Sequence, residues 1–488
     1  MFKLSENIDP NKVFIVNRSE LEGRIDSTFY VNRPDFHNTI RLSKIAKIKG
    51  GKRIPKDADY SDIDTPNLYL RVTDIDESTE FNYLNFKNIS DELYEKLKRY
   101  EVFENELIIS IAGTVGKTKV VKNIPNGKRI ILTENCVKIL TNGSILPQYL
   151  SIVLQTNFLQ KQIELSYIQT TIPKLGIDKI LGLKIPQIPP LEIQQQIVEL
   201  YENAYTEKQQ KEAEAQRLLD SIDDYLLGEL GIALPKEKEH LPQNTDKKNS
   251  YNLDNDNPLV KKGRLFLTNL SEVTGKRIDP DYYSIYYMKI IKSIEGSYYK
   301  TETIGKYCGF ISGYAFSSND YIGQSDCILI TIKNISKNII TLEEKTFLPS
   351  QYYEMYPQFR VLENDLLIAM TGATIGKVGI YNSYEKSLLN QRNGIIRSKN
   401  LNTFYLMNLL NLDIYQKLIL RNSVGGAQSN ISGKEILKIN IPIPPLEKQN
   451  EMATHISQIR SKANVLMQQG KETLEKAKQA VEQMILGN

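Results

Sequence analysis

Tryptophan is absent from the 488 residues, and cysteine and histidine number only three each. Cys136, Cys308 and Cys327 are odd in number and far apart. They build neither a disulfide framework nor a zinc cluster and read as buried thiols of a reducing compartment. His37, His240 and His455 fall in separate regions, which excludes a Cys/His dyad or a convincing metal set. Long apolar runs are missing as well: Leu107–Ala112 and Leu366–Met370, among the longest, are far too short to span a bilayer. The N-terminal stretch has no apolar segment behind its first charges, so no secretory signal is expected. A soluble, cytoplasmic protein with two or three cores is the expectation for a chain of this length.

Charge is nearly balanced overall at +4, but it is unevenly placed. Residues 191–230 hold 3 basic and 10 acidic side chains, between two blocks, 1–190 and 263–445, that are mildly basic. Such blocks permit nucleic-acid binding without requiring it.

The chain is an internal duplication. IPQIPPLEIQQQI at Ile185–Ile197 recurs as IPIPPLEKQNEM at Ile441–Met452. Arg24–Asp26 matches Arg277–Asp279, Leu70–Ile75 matches Ile330–Ile335, and FENELIISIAGTVGK at Phe103–Lys117 matches LENDLLIAMTGATIGK at Leu362–Lys377. Landmarks in one order at a near-constant offset mean two copies of a whole domain with its trailing segment. Each copy mixes short β-type runs with Gly, Pro and Asn turns, as in a mixed α/β globule. Each then reaches a proline pair, Pro189-Pro190 or Pro444-Pro445, which fits immediately before a helix.

Behind the prolines, apolar or small residues step by three and four, the pattern of a coiled-coil seam. The first seam comprises Ile193, Ile197, Leu200, Ala204, Ala215, Leu218, Ile222 and Tyr225. The second comprises Met452, Ile456, Ile459, Ala463, Leu466, Leu474, Ala477, Val481 and Met484. Each helix is about 40 residues, or about 60 Å, and each is expected to cap at a Leu-Gly, Leu227-Gly228 or Leu486-Gly487. The organisation expected is a globular domain over 1–190, a long helix over 191–230, a flexible linker over 231–262, a second globular domain over 263–445 and a C-terminal helix over 446–488. The fold class is α+β, two mixed α/β domains in tandem separated by a pair of long antiparallel coiled-coil helices.

Catalytic motifs are decoys. AGTVGKT at Ala112–Thr118 lacks the glycine that a phosphate loop needs five residues before its Gly-Lys, where Ile111 stands. Asp279–Tyr282 resembles the loop with which adenine-N6 methyltransferases hold a flipped base. The first copy has Asp26–Phe29 there, and no glycine-rich S-adenosylmethionine loop precedes either. The chain therefore reads as no enzyme. What recurs instead is a set of polar, glycine-rich loops whose Lys, Arg, Gln and Asn side chains suit phosphates and base edges.

GKRIP, LRVTDI, NELIISIAGTVGK and IPQIPPLEIQQQI resemble one half of a type I restriction–modification specificity subunit. GYAF, ITIKNI, NDLLIAMTGATIGK, LNQR, GGAQSNIS and IPIPPLEKQ resemble the other half. The resemblance covers nearly the whole chain. It implies two target-recognition domains joined by spacer helices, each reading one half of a bipartite, asymmetric target in double-stranded DNA. It also implies two adenine-N6 methyltransferase subunits as partners, with restriction subunits that join to cut. S-adenosylmethionine, and ATP with Mg, would be bound by those partners, with no cofactor, catalytic residue or metal site in this chain.

The DNA-contact residues implied are Lys52, Arg53, Arg71, Thr114, Lys117 and Lys174 in the first copy. In the second they are Tyr314, Lys333, Asn334, Thr374, Lys377, Gln391, Arg392, Gln428 and Asn430. The first copy has TTIPKLG where the second has GGAQSNIS, and it lacks a match to LNQR. Two alternatives stay open: the specificity subunit of a two-part system whose partner fuses methylation and cleavage, and a coiled-coil protein-binding scaffold.

Overall fold

The computed structural model describes Phe36 and residues 38–76, 78–166, 173–234, 282, 285–423 and 430–487. Most of the expected linker, and Gln428, lie outside the described residues. The chain divides into two units, Met1–Ala213 with Leu466–Asn488, and Glu214–Val465. Among the described residues no helix is long and apolar enough to cross a membrane.

In the first unit the order is β1 (Thr39–Arg41), β2 (Ala46–Gly50), β3 (Asn67–Leu70), β4 (Lys87–Ile89), α1 (Asp91–Leu97), β5 (Glu101–Val102), β6 (Leu107–Ser110), β7 (Thr118–Val120), β8 (Arg129–Leu132) and β9 (Cys136–Thr141). Then follow α2 (Pro147–Gln155), α3 (Asn157–Ser166), α4 (Ile177–Gly182), β10 (Lys184–Pro186) and the long α5 (Leu191–Leu230), which continues into the second unit. One sheet runs β2-β9-β6-β7, all antiparallel, and another runs β4-β3-β8-β5 with β3 parallel to β8. Strands β3 and β6 are buried along their whole length, their apolar runs closed by the buried polar residues Asn67 and Ser110.

The second unit repeats this plan. It contains α6 (Ile285–Glu295), β11 (Thr301–Thr303), α7 (Ile304–Tyr307), β12 (Cys308–Ser312), β13 (Cys327–Ile330), β14 (Ile335–Ser336), β15 (Asn338–Ile340), β16 (Thr346–Leu348), α8 (Tyr352–Met355), β17 (Arg360–Val361) and β18 (Leu366–Ala369). Next come β19 (Val378–Ile380), β20 (Ser387–Leu389), β21 (Asn393–Ser398), α9 (Thr403–Leu410), α10 (Asp413–Asn422), α11 (Gly433–Leu437), β22 (Asn440–Pro442) and α12 (Leu446–Leu486), whose second half lies in the first unit. Its sheets run β16-β13-β20-β17 and β12-β21-β18-β19-β15-β14. The β14–β15 hairpin is the addition relative to the first copy.

The recurring motifs have local physical roles. In FENEL and LENDL the asparagine takes the left-handed conformation, at φ 64° for Asn105 and 65° for Asn364. The following acid caps that turn: Glu106 accepts from the Phe103 N–H at 3.0 Å and Asp365 from the Leu362 N–H at 2.8 Å. Each acid also holds a cation from the neighbouring strand, Lys138 on Glu106 at 2.8 Å and Arg397 Nε on Asp365 at 2.7 Å.

The glutamine of each PPLExQ segment is buried and bonded through both its oxygen and its nitrogen. Gln194 donates to Ser144 O at 3.0 Å and Pro189 O at 2.9 Å, and accepts from Leu146 N–H at 2.8 Å. Gln449 donates to Pro444 O at 2.8 Å and accepts from Asn402 N–H at 2.9 Å. The first turn of each long helix is thereby fixed to its globular domain.

Helices α5 and α12 pack antiparallel. In the first unit Ala204 and Tyr205 of α5 meet Leu474 and Ala477 of α12, and Gly470 lets the Lys208 backbone approach to 3.3 Å of where a Cβ would stand. In the second, Ile222 and Leu226 join Met452 and Ile456, and the Tyr225 and His455 rings lie 4.3 Å apart. The seam differs from the expected one at Ile193, Leu200 and Met484, which are exposed, while Val198, Tyr205 and Ile485 are buried. The buried face is wider than a two-helix seam because the globular domain also packs on the helices: Ile197, Val198, Val481 and Ile485 share one core with its strands. The first helix also runs past Gly228. It ends at Leu230, with Gly231 at φ 67° as the left-handed cap, whereas Gly487 caps α12 at φ 72°.

Gln194→Leu strands one half-buried N–H and two carbonyls, and Gln449→Leu one half-buried N–H and one carbonyl. Each should lower the unfolding free energy of its unit by about 2–3 kcal/mol. Urea denaturation followed by far-UV circular dichroism checks this, and an unshifted midpoint would contradict it.

Candidate nucleic-acid interface

Backbone hydrogen bonds tie several loops into one row at the strand ends of the first unit. Gly51 N–H donates to Cys136 O at 3.2 Å and Lys52 N–H to Leu132 O at 2.9 Å. A Cβ on Gly51 would sit 2.0 Å from Thr133 O, so only glycine permits this approach. Ile111 N–H donates to Asn135 O at 2.8 Å, Leu175 N–H donates to Ile111 O at 2.9 Å, and Ala112 is bridged to Lys174.

The second unit has the same ties. Gly313 N–H donates to Asn393 O at 2.9 Å and Tyr314 N–H to Leu389 O at 3.0 Å. A Cβ on Gly313 would sit 2.0 Å from Asn390 O. Met370 N–H donates to Arg392 O at 2.9 Å, Ile431 N–H to Met370 O at 3.1 Å, and Thr371 is bridged to Asn430.

These ties set the residues in correspondence: Lys52 with Tyr314, Lys174 with Asn430, and Leu132–Asn135 with Leu389–Arg392. The first copy therefore has a counterpart to LNQR after all, LTEN, in which only the leucine is unchanged. Sequence reading missed Thr133, Glu134 and Asn135 for that reason. The usable signal was the shared strand–loop–strand frame around them, not the loop residues.

The glycine–lysine hairpins join antiparallel strands β6 to β7 and β18 to β19. No α-helix starts behind them, so they offer no helix N-terminus to a phosphate. The second glycine of each is fixed by packing. Gly116 O accepts from Gln160 at 3.2 Å and Gly376 O from Gln416 at 2.7 Å, both glycines having positive φ. Thr114 is exposed, and Lys117, Thr374 and Lys377 are half-buried.

Lys117 also borders a groove of about 480 Å³ lined by Lys122, Glu202, Lys208 and Glu475 among others. Lys122 pairs with Glu202 at 2.6 Å, so the groove favours neither sign of charge. Near it, the buried Lys119 ammonium is held by Asp76, Ser78 Oγ at 2.7 Å and Glu80 O at 3.1 Å. Burial nevertheless pulls its pKa below the usual lysine value.

The sequence-derived residues fall into distinct environments. Lys52, Lys174, Lys333, Gln391, Arg392 and Asn430 are exposed, and Arg392 has φ 67°. Arg53 is 73% exposed but ion-paired to Glu134, whose hydrogen bond raises the guanidinium pKa. Tyr314 is 40% exposed.

Two of the residues are engaged within the domain itself. Asn334 is buried and bonded: its Oδ1 accepts from Thr331 N–H at 2.9 Å, and its Nδ2 donates to Thr341 O at 2.9 Å and Glu344 O at 3.2 Å. Its amide has no edge left for a base. Arg71 grips the buried Asp74 through Nη2 at 2.6 Å and Nε at 3.2 Å, and its Nη2 also donates to Asn85 O at 3.0 Å. LRVTDI and ITIKNI thus recur because Arg71 with Asp74, and Thr331 with Asn334, cap equivalent one-turn helices.

The thiols of Cys136, Cys308 and Cys327 are buried and unpaired by disulfides. Burial pushes Cys308 and Cys327 up to about 11 and Cys136 higher still, which makes them poor nucleophiles. Among the described residues no group of three His, Cys, Asp or Glu side chains is placed to hold a metal ion.

A family model described as the type I restriction modification DNA specificity domain matches residues 34–217 and again 299–476. The type I restriction enzyme MjaVIII specificity subunit of Methanocaldococcus jannaschii is 25% identical over 456 residues, covering 89% of this chain and 93% of that protein. A putative type I restriction enzyme MjaX specificity subunit from the same organism is 29% identical over 174 residues, covering 34% of this chain and 40% of that protein. A solved chain from work on complex assembly and conformational transition of the type I restriction–modification system shares the fold, with a TM-score of 0.52 at 16% identity. The match covers 92% of this chain and 96% of that one.

The two duplicated domains and the comparisons together define a class of non-catalytic recognition subunit. The chain belongs to the type I restriction–modification DNA specificity family.

Asn334→Ala and Arg71→Ala should each lower stability by about 1–3 kcal/mol while leaving sequence preference unchanged in the folded fraction. Thermal denaturation beside a duplex-competition assay checks this; altered preference at full stability would return these residues to the reading set.

Proposed function

We propose that this chain is the addressing subunit of a type I restriction–modification complex. It reads a bipartite, asymmetric target in double-stranded DNA and directs two adenine-N6 methyltransferase subunits, together with restriction subunits, to it. The observation that carries the reading is the pair of matched loop rows, identical in backbone ties and different in side chains. In this reading Lys117, Lys174 and Lys377 meet phosphates, while Arg53, Gln391, Arg392 and Asn430 approach base edges in the major groove. The differing side chains make the half-sites different. Methyl transfer, with S-adenosylmethionine, and ATP-dependent cleavage belong to the partners, and the complex works in the cytoplasm.

Co-expression with a cognate adenine methyltransferase subunit, followed by mapping of N6-methyladenine, should reveal a two-part motif that vanishes without this chain. Methylation unchanged by its omission would overturn the reading. Within that assay, Lys377→Ala should weaken binding to all duplexes alike and reduce the salt slope by about 1, whereas Gln391→Ala should relax one position by about 1–3 kcal/mol.

A further inference from the structure

The corresponding positions of the two loop rows carry opposite chemistry. Where the first copy places Lys52 beside the Arg53–Glu134 ion pair, the second places Tyr314 at the head of an aromatic cluster. The Tyr314 ring lies 5.0 Å from Phe316, 4.9 Å from Tyr356 and 5.2 Å from Phe359. Tyr352 backs the cluster, 5.4 Å from Tyr356 and 6.1 Å from Phe316. Phe316 is buried in a core with strands β13, β16 and β20, so the cluster is anchored.

Tyr314 is also held through its backbone to the exposed reading loop: its carbonyl accepts from Gln391 N–H at 2.7 Å. An anchored aromatic patch therefore stands beside Gln391 and Arg392. The centroids of three neighbouring rings lie within 5.2 Å of that of Tyr314, whereas stacking a splayed-out base needs a whole open ring face. A single methyl group needs far less. In the major groove of duplex DNA the apolar feature among base edges is the C5-methyl of thymine.

We propose that Tyr314 is a specificity-determining residue of the second domain that packs against the C5-methyl of a thymine in its half-site. The inference rests on the DNA-addressing reading above. In the first domain Lys52 stands at the equivalent place, and the aromatic pair behind it is Tyr69, whose hydroxyl donates to Lys52 O at 2.8 Å, with Tyr60 5.9 Å from it.

The test uses the co-expressed complex and duplexes bearing its mapped motif, with each thymine of both half-sites replaced in turn by uracil, which lacks only the methyl group. One thymine of one half-site should show about a fourfold loss of affinity, the worth of one buried methyl. Tyr314→Phe should keep that loss and Tyr314→Ala should abolish it. No thymine sensitive to the exchange, a half-site set without thymine, or sensitivity surviving in Tyr314→Ala would each overturn the proposal. If Tyr314→Ala does not assemble, the uracil scan on the unaltered complex decides alone. A complex that prefers no sequence at all would instead overturn the addressing reading.

Discussion

One buried amide at the root of each long helix governs how the domains are mounted. Gln194 and Gln449 each donate to the carbonyl of the first proline of the pair, Pro189 or Pro444, and accept from the N-cap N–H of a globular helix, Leu146 or Asn402. A buried glutamine bonded through both its oxygen and its nitrogen fixes direction as well as position, because its amide is planar and its partners are backbone groups. The proline pair removes alternative starts for the helix. With that root fixed, the remaining packing of α5 and α12 against strands and against each other follows from apolar burial.

Above the root, the two copies separate frame from tip. The frame consists of the asparagine turns with their capping acids, the close-approach glycines Gly51 and Gly313, and the glutamine clamps on Gly116 and Gly376. Each element is specified by a local requirement that admits few residue types. The tips are free of such requirements, and there the copies diverge: Lys52 against Tyr314, Glu134 against Gln391, Lys174 against Asn430. Similarity of sequence within this chain therefore reports scaffold, while candidate recognition lies mostly where similarity fails.

That division explains what was legible in the sequence. The duplication, the long helices and the glycine loops could be read because each leaves a repeated, chemically constrained signature. The helix end at Gly231 was missed because Leu-Gly occurs at both positions. Tertiary contacts chose between them: Tyr298 N–H and Ser297 Oγ bond to the Leu230 carbonyl, and a Cβ on Gly231 would meet the Tyr298 ring at 2.5 Å. Asn334 looked like a reader because polar residues in recurring loops invite that reading, yet its recurrence reflects capping. The LTEN counterpart was hidden by changed side chains between matching backbone anchors, with Arg392 at positive φ where Asn135 is not. Seam residues such as Ile193 and Leu200 were misassigned because periodicity alone does not reveal that a third surface competes for the helix face.

The matched ties have a consequence for heredity. Because the hydrogen-bond anchors at either end of each tip coincide in the two halves, a crossover between the halves of the gene joins compatible frames. A tip moved from one half to the other finds the same anchors waiting. On the proposed reading, one such exchange would replace the side chains presented at a tip while its anchors stayed in place.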